Sequence, residues 1–301
     1  MNPFLTIFSA PKPFTTPHIN LIQRNAIQSW LNIGEGIYVI LIGDEPGVNE
    51  IAAEFPVGFI PNVERNSSGT PLVSSIFTLA RQATTSPYLA YVNADIILLP
   101  EFLDTLKKVS AIEKQFLIIG QRWDLDIDYP MNFSPGWDQM LIRDVKKSGS
   151  LHLPAGSDYF IFPRPLFEAI PDFAIGRAGW DNWMIYNAKK HNWTVIDATP
   201  SNRVVHQNHD YSHLAGGRPH YEQEESFVNE DLAGGRENLY MVLDCDKQLR
   251  DGDLVRPPVT LVRSLRRLEL LMEPINGRKN KTRRYLSRRF RRWRRQITGS
   301  L

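Results

Sequence analysis

The run Ile37–Ile42, IYVILI, constrains this chain more than any other stretch, because it places six apolar residues in succession with no polar alternation. A strand with one wetted face alternates, so a continuous apolar run implies cover on both faces, the condition of a parallel α/β sheet. Its neighbours agree. Residues 4–8 form a second short apolar run, closed by the proline-bearing segment APKPF, and Ile19, Ile22, Ala26, Ile27 and Trp30 recur between the two at helical spacing. The order strand, helix, strand then continues. The loop PNVERNSSGTP leads into a helix predicted over 71–82, with Thr70 as N-cap and Pro71 at its first position. Residues 91–99 read as a strand, Pro100 opens a helix to about Val109, and 116–119 and 159–162 are further strands. No internal repeat is present.

At 301 residues, 42% hydrophobic and 23% charged, the chain can bury one large core or two modest ones and has no disordered composition. The single cysteine, Cys245, excludes an internal disulfide and a thiolate zinc site. The N-terminus lacks a basic leader and is broken by Pro11 and Pro13, and no window holds the ~20 apolar residues of a membrane span. The expected location is cytoplasmic, with attachment at the inner face of a membrane as an option. The formal net charge of +2 conceals an asymmetry: residues 278–295 carry 11 Lys plus Arg and no acid, leaving 24 basic against 33 acidic residues elsewhere.

Composition changes near Leu254, which predicts a catalytic-sized domain over 1–253 and a basic helical extension over 254–301. Leu261, Leu265, Leu268 and Met272 share one helical face, with Arg263, Arg266 and Arg267 elsewhere on the wheel; Leu286, Phe290, Trp293 and Ile297 repeat that spacing. Two basic amphipathic helices follow, and their aromatics Tyr285, Phe290 and Trp293 suit an anionic membrane surface better than nucleic acid. A solvated tail is the alternative reading.

In open α/β sheets ligands bind beyond the carboxyl ends of the strands, where Asp44, Asn93, Asp95 and Arg122 fall. Within YVNADIILL, Asn93 and Asp95 interrupt an apolar run, and burying an unpartnered carboxylate costs several kcal/mol, so either the strand emerges there or something binds the pair. An N-x-D at a strand end suits Mg²⁺ or Mn²⁺; a plain turn is the alternative. The segment GRAGWDNWMIYNA sets Asp181 and Asn182 between Trp180 and Trp183 at a loop-to-helix junction, and VVHQNHDYSH places His206, His209 and His213 after another apolar strand. Asp158 precedes YFIF, facing a sugar or serving a turn. Trp123, Trp137 and Trp180 are either a sugar-stacking platform or core.

Over roughly residues 4–215 this arrangement resembles the GT-A-fold, nucleotide-sugar-dependent glycosyltransferases of the broad family-2-like group. The resemblance implies a Rossmann-like, mostly parallel sheet flanked by helices, and transfer of a sugar from a nucleoside-diphosphate sugar to a glycan or lipid-linked hydroxyl, by inversion. Asn93 and Asp95 then occupy the D-x-D positions that hold a divalent metal, Mn²⁺ or Mg²⁺, with Asp95 the direct ligand and Asn departing from the pattern. Asp44 matches the contact to the nucleoside base, Arg65 and Asn66 lie near the nucleotide, and Asp181 matches the base that deprotonates the acceptor, with Asp158, Trp180 and Asn182 near the sugars. His206 completes the metal or diphosphate site, with His209 second. Two rivals stand beside this reading. A sugar nucleotidyltransferase would need a glycine-rich phosphate loop after the first strand, which SAPKPF lacks; a non-catalytic sugar- or lipid-binding scaffold would explain Asn93.

Overall fold

The structure, a computed structural model, describes residues 2–209, 223–273 and 281–299. The predicted alternation is realised from the start: β1 (Leu5–Ser9), α1 (Pro17–Leu31), β2 (Ile37–Ile42), α2 (Val48–Glu54), β3 (Gly58–Ile60), α3 (Val73–Gln82) and β4 (Tyr88–Val92). There follow β5 (Ile96–Leu98), α4 (Glu101–Ile112), β6 (Phe116–Ile119), β7 (Trp123–Leu125), α5 (Trp137–Ser148), β8 (Ser150–Leu151) and β9 (Tyr159–Pro163). The remainder comprises α6 (Trp180–Lys190), β10 (Thr194–Asp197), β11 (Val204–Gln207), α7 (Glu224–Leu232), β12 (Lys247–Arg250), β13 (Asp253–Val255), α8 (Leu261–Met272) and α9 (Lys281–Thr298).

Among the described residues, nine strands form the main sheet in the order β13-β12-β10-β6-β9-β4-β1-β2-β3. All neighbours pair in parallel except β9, which runs against both β4 and β6, and β13, which runs against β12. Alternate residues of one strand serve two cores. Leu5, Ile7, Val39, Leu41, Ala90 and Val92 face α1 and α4 on one side, meeting Trp30, Phe102 and Leu106. Phe8, Ile40, Ile42, Leu89 and Tyr91 face α3 and α6 on the other, meeting Phe77, Trp183 and Met184. The IYVILI run is therefore apolar throughout because both faces are covered.

A second sheet, β5-β11-β7-β8, sits at the carboxyl end of the first and has its own small core around Ile97, Leu99, Trp137, Leu141 and Val205. It changes the reading of YVNADIILL. The single strand expected over 91–99 is two strands in two sheets, β4 and β5, with Asn93, Ala94 and Asp95 as the step between them. Periodicity cannot register such a step, since the residues on either side are buried in both sheets. The helix expected from Pro71 begins instead at Val73. Pro71 bridges Arg65, Leu72 bridges Ala174, and the Pro71 carbonyl accepts from the Ile175 amide, so both residues are spent on extended pairing.

The edge strand β13 spans the position where the composition changes, and α8 docks on the body through buried charges. Arg263 donates to the Leu243 carbonyl and lies 3.4 Å from Asp197, while Arg266 grips Asp244 at 2.8 Å.

Candidate functional site

The step between β4 and β5 carries the site. Asp95 is fixed from below by Gln207, fully buried on β11, whose side-chain amide donates to the Asp95 carbonyl at 3.1 Å and to the Ile22 carbonyl at 2.7 Å. Asn25 on α1 donates in turn to Gln207 Oε1. With its backbone held, the buried Asp95 carboxylate points at Lys12 Nζ and His209 Nε2, each 3.1 Å from Oδ2 and 3.0 Å from one another. Burial alone would raise its pKa, but Lys12, His209 and His206 outweigh that and hold the carboxyl well below its usual value. Oδ1 is buried and has no hydrogen-bond partner among the described residues.

His206 projects from β11 beside it, and ligand atoms of Asp95, His206 and His209 lie within 4.8 Å of one another. A carboxylate oxygen left orphaned in the interior costs free energy, and the imidazoles of His206 and His209 beside the same carboxylate offer two further donors to a metal. These residues fit a divalent cation. His206 Nδ1 lies 3.2 Å from Asp124 Oδ1. Asp124 also accepts from Arg122 at 2.9 Å and contacts His152 Nδ1 at 2.6 Å. Its carboxyl is held far below the usual range because the partners His152, His206 and Arg122 overcome the cost of burial. A carboxylate behind a histidine fixes the ring's orientation and tautomer.

Asn93 stands outside this trio. Its Oδ1 accepts from the Tyr91 hydroxyl at 3.0 Å and its Nδ2 donates to Asp158 Oδ1 at 2.8 Å. Asp158 also takes Arg122 at 2.7 Å. Asp158 thus ties the first-sheet step to the loop before β9, and its charge reaches Asp181.

Asp181 lies in the first turn of α6, behind the N-cap Gly179 (φ 107°), and does not serve as the cap itself. Desolvation pushes its carboxyl up to about 6, opposed by the backbone N–H of Asn182 and reinforced by Asp158. Asn182 donates to the carbonyls of Ala155 and Tyr240, both at 2.7 Å, and so holds the 155–156 loop over Asp181. A Cβ on Gly156 would come within 2.8 Å of Asp181 Oδ2. Trp180 is 5% exposed and packs against Tyr91 and Phe160 in the main core. Trp137 belongs to the core of the small sheet, so the three tryptophans make no common platform.

At the far end of the β1–β2–β3 edge, Arg65 bonds Asp44 at 2.5 Å and Glu45 at 2.9 Å. Asn66 donates to Glu225, which also holds Arg177 at 2.7 Å, linking this loop to α7. His213 lies outside the described residues.

Lys12, Asp124, Gln207 and Glu225 were missed by sequence reasoning. Lys12 stands immediately beyond β1, the strand-end position that singled out Asp44 and Asp95, and could have been found by the same rule.

Neither a protein-family model nor a curated protein matches the sequence. Among solved structures, S. aureus TarS is similar with a TM-score of 0.50 at 10% identity, over 93% of this chain and 45% of that one. Its segment 1–349 in complex with UDP-GlcNAc gives 0.49 at 11% identity, over 77% and 65%. Glucosyl-3-phosphoglycerate synthase from Mycobacterium tuberculosis, in complex with Mn²⁺, uridine diphosphate and phosphoglyceric acid, gives 0.47 at 14% identity, over 78% and 79%. The chain spans less than two thirds of the length of the TarS chains it matches. Its fold is the GT-A fold of nucleotide-sugar glycosyltransferases.

Proposed function

We propose that the protein transfers a sugar from a nucleoside-diphosphate sugar to the hydroxyl of a glycan or lipid-linked acceptor, with inversion. The observation that carries this reading is the continuity of the polar site. Asp95 with its orphaned oxygen, His206 and His209 lead through Asp124 and Arg122 to Asp158, and from there to the raised carboxyl of Asp181.

Asp95, His206 and His209 would hold the divalent cation, which when bound supplies positive charge to the departing diphosphate. One carboxylate with two imidazoles suits Mn²⁺ better than Mg²⁺, which prefers oxygen alone. Lys12, about one third exposed on its side chain and held by Asp95 and His209, adds an ammonium to the same end of the site. Asp181 takes the proton of the acceptor hydroxyl. The acceptor oxygen bonds to the anomeric carbon as the bond from that carbon to the diphosphate oxygen breaks, and the electron pair leaves with the diphosphate. A carboxyl at about 6 is a better base than an ordinary aspartate yet ionised at neutral pH. Asp44 and Arg65, which pair with one another at the sheet edge, would meet the nucleoside, with Asn66 in the following loop.

The test is release of nucleoside diphosphate from a panel of nucleotide sugars with Mn²⁺. Release from one donor by the parent chain, lost in Asp181→Asn, is the expected result. Absence of release from every donor, with donor binding retained, would favour the non-catalytic scaffold.

A further inference from the structure

Helices α8 and α9 pack against each other through a seam that is largely ionic. Most of the residues they bury are charged: Arg263, Arg266 and Glu269 beside Leu265 on α8, and Arg294 beside Ser287 on α9. Glu269 is the hub. It receives Arg266 at 3.0 Å, Arg291 at 2.7 Å and Arg294 at 3.0 Å, while Glu273 takes Arg291 at 2.7 Å and the Ser287 hydroxyl at 2.6 Å. Arg291 bridges Glu269 and Glu273, and both oxygens of Glu269 are engaged, so the charges the seam buries are partnered.

The leucine face expected to seal α8 is covered only in part: Leu265 is buried, Met272 is half-buried and Leu268 is 38% exposed. Leu261 is 64% exposed and Leu271 63%, and on α9 Trp293 is 39% and Ile297 50% exposed. Helical spacing puts Leu286, Phe290, Trp293 and Ile297 on one stripe of α9, beside the seam formed by Ser287 and Arg294. The opposite side of α9 carries Lys281, Arg284, Arg288, Arg292 and Arg295, all exposed, and the Arg289 guanidinium lies 4.8 Å from the Trp293 ring centroid. Nine Lys plus Arg and no acid lie within α9.

From this geometry we infer that the α8–α9 pair is a docking surface for an anionic lipid bilayer. An apolar stripe containing Trp and Phe, backed by an arginine face, is the pattern of a helix lying in the interface plane. Charge fixes the orientation: outside residues 278–295 the chain holds 33 acidic against 24 basic residues, so an anionic surface repels the body and attracts α9. Among the described residues no helix is long and apolar enough to cross a membrane, and the attachment is peripheral. Because the buried seam is ionic, the leucines and aromatics remain available to the bilayer without the pair coming apart.

The full chain is tested by co-sedimentation with phosphatidylcholine vesicles and with vesicles containing one part in three of phosphatidylglycerol. Binding to the anionic vesicles alone, weakened at least about tenfold by 0.5 M NaCl, is expected. Trp293→Gln with Ile297→Gln, both at exposed positions and checked for unchanged melting, lowers binding about tenfold. Equal binding to both vesicle types, or none to either, overturns the inference. So does concentration-dependent self-association that the double variant abolishes, which would assign the stripe to a second copy. Salt-sensitive binding to single-stranded nucleic acid with no vesicle binding would likewise overturn it. Because it needs no sugar donor, this experiment stands or falls independently of the transferase reading.

Discussion

Replacing Asp181 with asparagine should make the protein more stable and less active at the same time. The carboxyl is raised from its usual 3.8 to about 6, chiefly by desolvation. That difference is about two units, or about 3 kcal/mol at ~1.36 kcal/mol per unit. The sign follows from linkage: below the unfolded value both states bind the proton and the stability is fully present, and it is lost as pH rises through about 6. Asparagine carries no charge to desolvate, yet it gives up hydrogen bonds from the Asn182 backbone that favour the ionised form, so the recovery is about 1–3 kcal/mol at pH 8. Urea unfolding at pH 4 and pH 8 measures it: the variant's midpoint should exceed the parent's at pH 8, with the gap closing at pH 4. Turnover should fall by about 10²–10⁴-fold, and kcat/KM of the parent should decline on the acid side with a midpoint near 6. A variant less stable than the parent at pH 8, or a gap independent of pH, would refute the desolvation argument. An active variant would remove Asp181 from the chemistry.

Three further outcomes follow from the same geometry. Gly156→Ala places a methyl 2.8 Å from Asp181 Oδ2 and should lower kcat about tenfold or more while melting within a few degrees of the parent, read by kinetics beside a thermal scan. Asp124→Asn removes the carboxylate that orients His206, so calorimetry should show Mn²⁺ affinity reduced about 10–100-fold with the fold intact. Glu269→Gln leaves Arg266 and Arg294 without their shared carboxylate and should cost about 3–5 kcal/mol in urea unfolding. Glu269 is depressed despite its burial because Arg266 and Arg294 outweigh the desolvation, so its contribution is present above the usual glutamate value and is lost as pH falls through the folded one.

Much of the architecture was legible because buried strands leave an unmistakable mark: IYVILI, FLII and YFIF all lie in the main sheet. Asn93 and Asp95 stood out for a physical reason, since polar groups inside an apolar run need an explanation, and the step between two sheets provides it. Their division of labour was not legible. Whether an amide faces Asp158 or a cation depends on a loop 65 residues away. Lys12 was read only as part of a proline-rich strand end, because its partner Asp95 is 83 residues distant. The C-terminal helices show the opposite failure. Their apolar periodicity is plain, yet guanidinium–carboxylate pairs took the buried seam, a choice that depends on Asp244 and Glu269 meeting Arg266 in space. Periodicity reports which residues share a face and not which face another helix covers.

The central claim, a donor site built on Asp95 with His206 and His209, is tested most directly by thermal shift of the parent and of Asp95→Ala with nucleoside diphosphates, with and without Mn²⁺. At 100 times its dissociation constant a ligand should stabilise the parent by about 2.7 kcal/mol, and only when Mn²⁺ is present. The account predicts that Asp95→Ala abolishes this shift. A shift of equal size without Mn²⁺, or one that survives in Asp95→Ala, would contradict it.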